Sequence, residues 1–386
     1  MTAAEQKQVP VTLQDIAAQC GVDRSTVSLA LRRQGRISPA TVERITRAAE
    51  ELGYDPAHHE TARRMVMQRL GKETLSQVIG LLYPADYLET NFYTTILRGM
   101  TGVLNAEQYG LLIFAPETGE HPSPPIMLSA FRRGDVDGMI VLGKPAWFTH
   151  FVLEMRQNPR FHNRPVMLLF AEEPGCVTLT ADSEGGAYDA TMHLLQLGHR
   201  HLMKLIYPQI PGQNPEPAPQ VGGSQRALRE YGLDPAAHLH LVEVDFAWVS
   251  ATGLAQFQHQ LHLPQHAHAP EHLVFTCLRQ HPQTTAILAI NDASAIRTWA
   301  LLQQGGLRVP DDISLVGFDD TDPVLDEHGQ NMLTTVRLPL REFGETAAKQ
   351  MIDFVNGAPA PAQPVRMDTQ LIVRKSTAAC PSHYAP

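Results

Sequence analysis

The sequence predicts an N-terminal all-α bundle, a helix-turn-helix head, followed by an α/β body of two doubly wound lobes. Three observations carry this. Residues 11–56 hold three closely spaced helical patterns with a glycine turn between the first two. From Gln77 onward the pattern changes to short apolar runs alternating with helical stretches, as in a parallel sheet. The charge is also uneven: the 386-residue chain carries −9, of which residues 1–72 hold +3 and the remainder −12. A basic head on an acidic body suits phosphate contact by the head and solubility of the body.

In the head, Thr12 caps a first helix whose apolar positions Leu13, Ile16 and Ala17 follow helical spacing. Gly21 is expected to permit a tight turn where a side chain would crowd the next helix. Asp23 caps that second helix, in which Val27, Ala30 and Leu31 turn inward and Arg24, Ser25 and Ser28 outward. The N-terminal residues of such a helix are the ones that meet base edges in a major groove. Ser38-Pro39 starts a third helix with Val42, Ile45, Ala48, Ala49 and Leu52 at core spacing, closed by Gly53-Tyr54-Asp55-Pro56.

With Leu13-Gln14-Asp15-Ile16-Ala17, Gly21-Val22, Ser25-Thr26-Val27-Ser28 and Leu52-Gly53-Tyr54-Asp55-Pro56 in place, the head resembles the LacI/GalR family of bacterial transcription regulators. The resemblance implies a head over 1–56, a hinge or linker over 57–76, and a bilobed effector-binding and dimerisation core over 77–386. It also implies that Ala62, Arg63 and Met65 enter the minor groove, Met65 as the apolar wedge between base steps. Two departures stand out: Ala57 replaces the family's Asn, and the wedge motif lies further from Pro56. Arg24 and Ser25 occupy the variable base-reading positions. Leu29 stands where many members carry Arg, and Arg32 where many carry Asn, so half-sites unlike the common consensus are expected. Thr12, Thr26 and Ser28 are assigned to phosphates, which set register without reading sequence.

The body reads as strands at 78–82, 111–114, 138–142, 166–170, 177–181, 202–207, 239–244, 286–290 and 313–317, with helices at 93–108, 126–133, 184–197, 224–231 and 294–304. Here the resemblance continues through Phe131-Arg132-Arg133-Gly134-Asp135-Val136-Asp137-Gly138, His193-Leu194-Leu195-Gln196-Leu197-Gly198-His199, Asn291-Asp292, and Val309-Pro310-Asp311-Asp312-Ile313 through Asp319-Asp320. It implies a core like a periplasmic sugar-binding protein. Ligands of such folds bind beyond the carboxyl ends of the strands.

Position by position, the resemblance places Asp319 on ligand hydroxyls or ring nitrogens and Asn291 on the same ligand, with Asp292 orienting a helix N-terminus. Phe246 is placed as a stacking aromatic or a core residue. Phe92 and Tyr93 would form the opposite wall, and Asp182 either contacts ligand or caps the helix that follows. Gln220 stands where the family carries an effector-gripping Arg, and Gln supplies no bidentate cation. A neutral ligand, an unusual one, or none follows from that departure.

No Walker loop, Gly-rich dinucleotide turn, nucleophile elbow or HExxH motif is present, so neither enzyme chemistry nor a cofactor is expected. Cys20, Cys176, Cys277 and Cys380 lie far apart and read as reduced thiols of a cytoplasmic protein. His262, His266, His268 and His272 read as solvated loop residues, with a metal site as the other option. Residues 1–10 lack an apolar signal core, and no long apolar run predicts a membrane span. The expected protein is a homodimeric repressor that binds double-stranded, pseudo-palindromic operator DNA under control of a small-molecule effector, a sugar or related metabolite. Two other readings stay open: a core that has lost its effector, and an enzyme with a DNA-binding head.

Overall fold

The computed structural model describes residues 11–31, 37–52, 54, 75–82, 90–114, 129–131, 134–143, 148–157, 164–173, 176–207, 218–250, 254–255, 258, 272–361 and 363–381. The chain divides into two compact units, Met1–Ser76 and Gln77–Pro386.

In the first unit, α1 (Leu13–Cys20), α2 (Arg24–Leu31) and α3 (Pro39–Glu51) enclose a core of Ile16, Ala17, Cys20, Val27, Ala30, Ile45, Ala48 and Ala49. Each helix is too short to persist alone, so their shared apolar face holds them together. Capping is local. The Asp15 carboxylate accepts from both the backbone N–H and the hydroxyl of Thr12, each at 2.7 Å. Ser38 Oγ accepts from Thr41 N at 3.2 Å, a contact worth about 1 kcal/mol. Gly21 corrects an expectation. A Cβ there would meet nothing within 4 Å, so crowding is not its reason; its φ of +62° is.

The second unit is built on two six-stranded sheets. Strands β1 (Val78–Leu82), β2 (Gly110–Phe114), β3 (Gly138–Leu142), β4 (Val166–Leu169) and β5 (Val177–Ala181) join β11 (Val365–Met367) in the order β11-β5-β4-β3-β1-β2, all parallel. Strands β6 (Leu202–Ile206), β7 (Leu239–Glu243), β8 (Ala286–Leu288), β9 (Ser314–Asp319) and β10 (Thr334–Arg337) join β12 (Gln370–Ile372) in the order β12-β10-β9-β8-β6-β7. Only the β10–β12 pair is antiparallel. The central strands are apolar on both faces, as helix-covered parallel strands must be; all of β3 is buried.

The helices of the first sheet include α4 (Asn91–Ala106) and α5 (Phe148–Gln157), and α12 (Leu340–Val355) packs on α4. Those of the second include α6 (Ser183–Gln196), α7 (Pro219–Glu230), α8 (Pro235–His238), α9 (Phe246–Val249), α10 (Leu273–Gln280) and α11 (Asp292–Gln304). The chain therefore passes between the sheets after β5, after β10 and between β11 and β12. Two of these crossings are tied together. Asp182 N donates to Met367 O at 2.8 Å, and Thr369 Oγ1 donates to Asp182 O at 3.1 Å.

Several expected boundaries shift. Helix α7 begins at Pro219 rather than 224, with proline at its first turn and Gly222-Gly223 inside it. Gly223 is needed there because an added Cβ would lie 2.0 Å from Glu184 O on α6. Helices α5, α10 and α12 were not placed from the sequence, and of the helix expected at 126–133 only 129–131 are described, as helical.

Helices α4 and α12 meet through paired glycines. A Cβ at Gly99 would sit 2.1 Å from Arg341 O, and one at Gly344 2.0 Å from Ile96 O. Gly344→Ala is therefore expected to cost about 1–3 kcal/mol by overpacking. Gly102→Ala, on the open face of α4 where a Cβ meets nothing within 4 Å, should be neutral or stabilising by up to about 1 kcal/mol. Chemical denaturation of the two variants checks the contrast.

Candidate nucleic-acid interface and ligand cleft

On the head, α2 turns Val27 and Ala30 into the core and leaves Arg24 and Ser25 exposed on its first turn. Arg24 makes no hydrogen bond or ion pair to any described residue. Thr26, Ser28 and Leu29 are half-buried along the same helix. Thr12 lies at the start of α1, its hydroxyl already donating to Asp15. That contact and the backbone N–H beside it hold the Asp15 carboxyl below its ordinary range. Arg32, Ala62, Arg63 and Met65 lie outside the described residues.

In the body, the strand ends of the second sheet carry a connected polar network. Asp292, the first residue of α11, is 1 % exposed. Its Oδ1 accepts from Thr335 Oγ1 at 2.6 Å on β10, and its Oδ2 from Thr321 N at 2.7 Å and Asp322 N at 3.3 Å. Burial pushes its pKa up to about 7 against those three hydrogen bonds. Beside it, Asp319 ends β9 with φ +100°, an unusual value for a residue with a side chain. Burial, followed by the neighbouring carboxylates of Asp292 and Asp322, raises the Asp319 pKa well above the ordinary range.

Asp319 and Asp320 divide two jobs between adjacent positions. Asp320 is pinned by Arg374 at 2.8 Å and Arg337 at 2.7 Å. No described residue donates a hydrogen bond to the Asp319 carboxyl or pairs with it. A carboxyl shielded from water without a hydrogen-bond donor among the described residues is unfavourable.

The other sequence candidates distribute as follows. Asn291 caps α11, its Oδ1 accepting from Ser294 N at 2.9 Å and its Nδ2 donating to Val249 O at 2.8 Å. Asn291 is thus the N-cap, while Asp292 stands in the first turn of α11 and also holds the loop after β9. Asp182 caps α6, accepting from Gly185 N at 3.1 Å, and sits at a crossing between the sheets. Gln220, in the first turn of α7, accepts from Lys204 Nζ at 2.8 Å and donates to Ile290 O at 3.2 Å. Phe92 and Tyr93 open α4, their rings in an edge contact at 4.8 Å; Phe92 also meets Phe170 at 5.3 Å. Phe246 is the first residue of α9, and its side chain lies outside the described residues. From the first lobe, Asn91 Nδ2 donates to Asp322 Oδ1 at 2.8 Å, a direct link between the two sheets' strand-end loops.

Asp292 as a loop anchor, Asp322 and Lys204 were missed from the sequence. Lys204 had a signal: it is a charged residue at the centre of the apolar strand Leu202-Met203-Lys204-Leu205-Ile206. Among the described residues no group of three His, Cys, Asp or Glu is placed to hold a metal. Of the loop histidines only His272 is described, and its Nδ1 accepts from Val274 N at 3.2 Å at the start of α10.

The pH dependence of Asp292 has a definite sign. Its folded pKa of about 7 lies above the unfolded 3.8, so protonation favours the fold; that contribution is complete below about pH 4 and is lost as pH rises through 7. Asp292→Asn keeps an acceptor for the Thr321 N–H without titrating. The stability difference between variant and wild type should move in the variant's favour from pH 4 to pH 7 and level off above pH 8. Denaturation curves across that range check it.

Comparison with known proteins agrees with this geometry. Residues 12–57 match the model of bacterial regulatory proteins of the lacI family, and residues 191–377 match a periplasmic binding protein-like domain. The HTH-type transcriptional repressor CytR of Escherichia coli (strain K12) is 28 % identical over 384 residues, covering 98 % of this chain and 99 % of that protein. The HTH-type transcriptional regulator CelR of Thermobifida fusca is 28 % identical over 371 residues, covering 95 % and 98 %. Among solved structures, a LacI family transcriptional regulator from Enterococcus faecium with bound ribose is similar with a TM-score of 0.59 at 26 % identity, covering 78 % of this chain and 99 % of that one. The lac repressor dimer bound to operator and an anti-inducer shares the fold, with a TM-score of 0.59 at 22 % identity over 96 % of this chain and 100 % of that one. A three-helix head, a body of two mostly parallel sheets crossed three times by the chain, and these matches over both parts lead to one conclusion: the chain joins a head of the lacI family of bacterial regulatory proteins to a periplasmic binding protein-like body, as its LacI-family relatives do.

Proposed function

We propose that the protein is a sequence-specific DNA-binding transcriptional repressor, a cytoplasmic homodimer whose operator affinity is set by a small polar effector in the cleft of the body. The observation that carries the DNA reading is α2, which exposes Arg24 and Ser25 on its first turn while Val27 and Ala30 anchor it. Arg24 is the guanine reader, through its two-pronged donor face, and Leu29 makes apolar contact. Thr12, Thr26 and Ser28 hold phosphates. The minor-groove roles of Ala62, Arg63 and Met65, and a base contact by Arg32, rest on the sequence alone.

A dimer is supported by the edge strands of the sheets, which pair on one side only among the described residues. Strand β2 ends one sheet and exposes Leu112 (37 %) and Ile113 (38 %), and β7 ends the other and exposes Leu241 (46 %). Uncovered apolar edge strands are a liability unless a partner hides them. No described helix is long and apolar enough to cross a membrane. No catalytic step belongs to this reading.

The effector reading rests on Asp319 at the end of β9, strained at φ +100° and with no partner for its carboxyl among the described residues. Ribose is bound in the similar Enterococcus faecium regulator, and hydroxyls are the donors such a carboxyl accepts. A second reading, a core that senses no ligand, is favoured by the amides of Gln220 and Asn291 and the carboxyl of Asp182, all engaged within the chain.

Arg24→Ala should weaken binding to a cognate duplex by about 1–3 kcal/mol and relax base preference at one position per half-site. Fluorescence anisotropy on single-base duplex variants reads this; uniform weakening across all variants would assign Arg24 to phosphate instead. Asp319→Asn should leave DNA affinity intact and abolish the response to effector. A wild type and variant equally indifferent to every metabolite pool would establish the second reading.

A further inference from the structure

Four histidines from four separate pieces of the second lobe stack into one file. His281 directly follows α10, His240 lies on β7, His201 directly precedes β6, and His238 is the last residue of α8. The His281 and His240 rings are parallel within 12°, their centroids 3.6 Å apart. His240 is parallel to His201 within 3° at 6.1 Å, and His201 meets His238 at 4.6 Å. All four are half-buried. His238 Nδ1 donates to Arg200 O at 2.9 Å, whereas His201 Nδ1 and His240 Nε2 are shielded from water and have no partner among the described residues. Strands β6, β7, β8 and β9 run parallel, so the file stands at the end of the sheet away from Asp319.

The charged groups around the file are engaged elsewhere, and among the described residues no carboxylate pairs with any of the four rings. Before β6, the Arg200 guanidinium donates to Leu195 O and His199 O, and His199 is bonded to Thr285 and Ala378 O. Asp234 accepts from Ala236 N at the start of α8. On α7, which packs on α8, Arg226 pairs with Glu184 and Glu230, and Arg229 donates to Gln225. Glu243 on β7 and Lys204 on β6 alternate to the opposite face from His240 and His201. On α10, Arg279 donates to Thr276, burial raises the Cys277 thiol, and His272 sits at the far end. Neutral imidazoles stack here without penalty. A proton added to the file puts an N–H where nothing accepts it and a like charge beside the next ring. Burial, followed by His281, His201 and His238, accordingly brings His240 from 6.5 down to about 4, and burial, followed by His238, lowers His201.

We propose that this file is an acid-sensitive clasp: its neutral rings hold the ends of α10 and α8 on the starts of β6 and β7, and protonation releases α10 from the sheet. The released state binds the proton more tightly than the clasped one. The clasp therefore contributes fully above about pH 6.5 and is lost as pH falls toward 4. Helix α10 carries Val274, Phe275 and Cys277 into the core of the second lobe, so its release opens that core at the end away from the cleft. The device needs neither an effector nor DNA.

The test is hydrogen–deuterium exchange of the full-length protein at pH 7.5 and pH 5.5, read by mass spectrometry and corrected for the pH dependence of intrinsic exchange. Protection of α10 is expected to fall about three- to tenfold relative to α11 and α12, the range for one partly exposed histidine whose pKa is lowered by burial. His240→Phe and His281→Phe keep an aromatic ring in the file and remove a proton site, so each should shrink the fall. His150→Gln, on the exposed face of α5, should leave it unchanged. The contrast between α10 and the other two helices in the wild type stands as a test even if a variant folds poorly. An equal fall in all three helices, no fall in α10, or a fall undiminished in both phenylalanine variants would overturn the proposal.

Discussion

The second lobe depends on one buried carboxyl. Asp292 ties three separate pieces of chain together: the start of α11, the loop after β9 through two backbone N–H groups, and β10 through Thr335. Space is matched to it as well, since a Cβ at Gly317 would come within 2.4 Å of Asp292 Oδ1. With those elements locked, Asp319 is held at φ +100° and Asp320 is turned toward Arg337 and Arg374. Strain of this kind persists only where surrounding contacts over-determine it. The arrangement sets at the end of β9 one carboxyl to which no described residue donates.

The same network reaches the other lobe. Asp322, positioned by its N–H on Asp292, accepts from Asn91 at the start of α4. Because the chain crosses between the sheets three times, and two crossings are hydrogen-bonded at Asp182, the lobes are hinged on one side and linked by this polar contact near the strand ends. Such a build suits a two-state closure, in which a ligand spanning the cleft shifts the population by its differential affinity for the two arrangements. Any transmission to DNA reading operates through that difference.

Much of this was legible in the sequence because the signals are local. Helical spacing and the Ser38-Pro39 start defined α3, and nine apolar runs marked parallel strands. Element identity therefore came through well, and boundaries less so. Gly222-Gly223 precedes the helix start expected at 224, yet it lies inside α7, where the backbone of α6 explains the missing side chain of Gly223. Site roles were legible as positions rather than as partners. Asn291 and Asp292 are adjacent, and only the backbone geometry at the start of α11 decides which one caps and which one reaches the loop after β9. Gln220 read as the loss of a cation, because the lysine that faces it is separated in sequence and meets it only through the sheet. Tertiary proximity of that kind has no periodicity to announce it.

Whether this head reads DNA sequence is decided by selection of binding sites from a random double-stranded pool by the full-length protein. A single pseudo-palindrome with two equivalent half-sites should be enriched, as two heads related by symmetry require. Recovery of no shared sequence by folded protein at moderate salt, with binding that only tracks ionic strength, would contradict it.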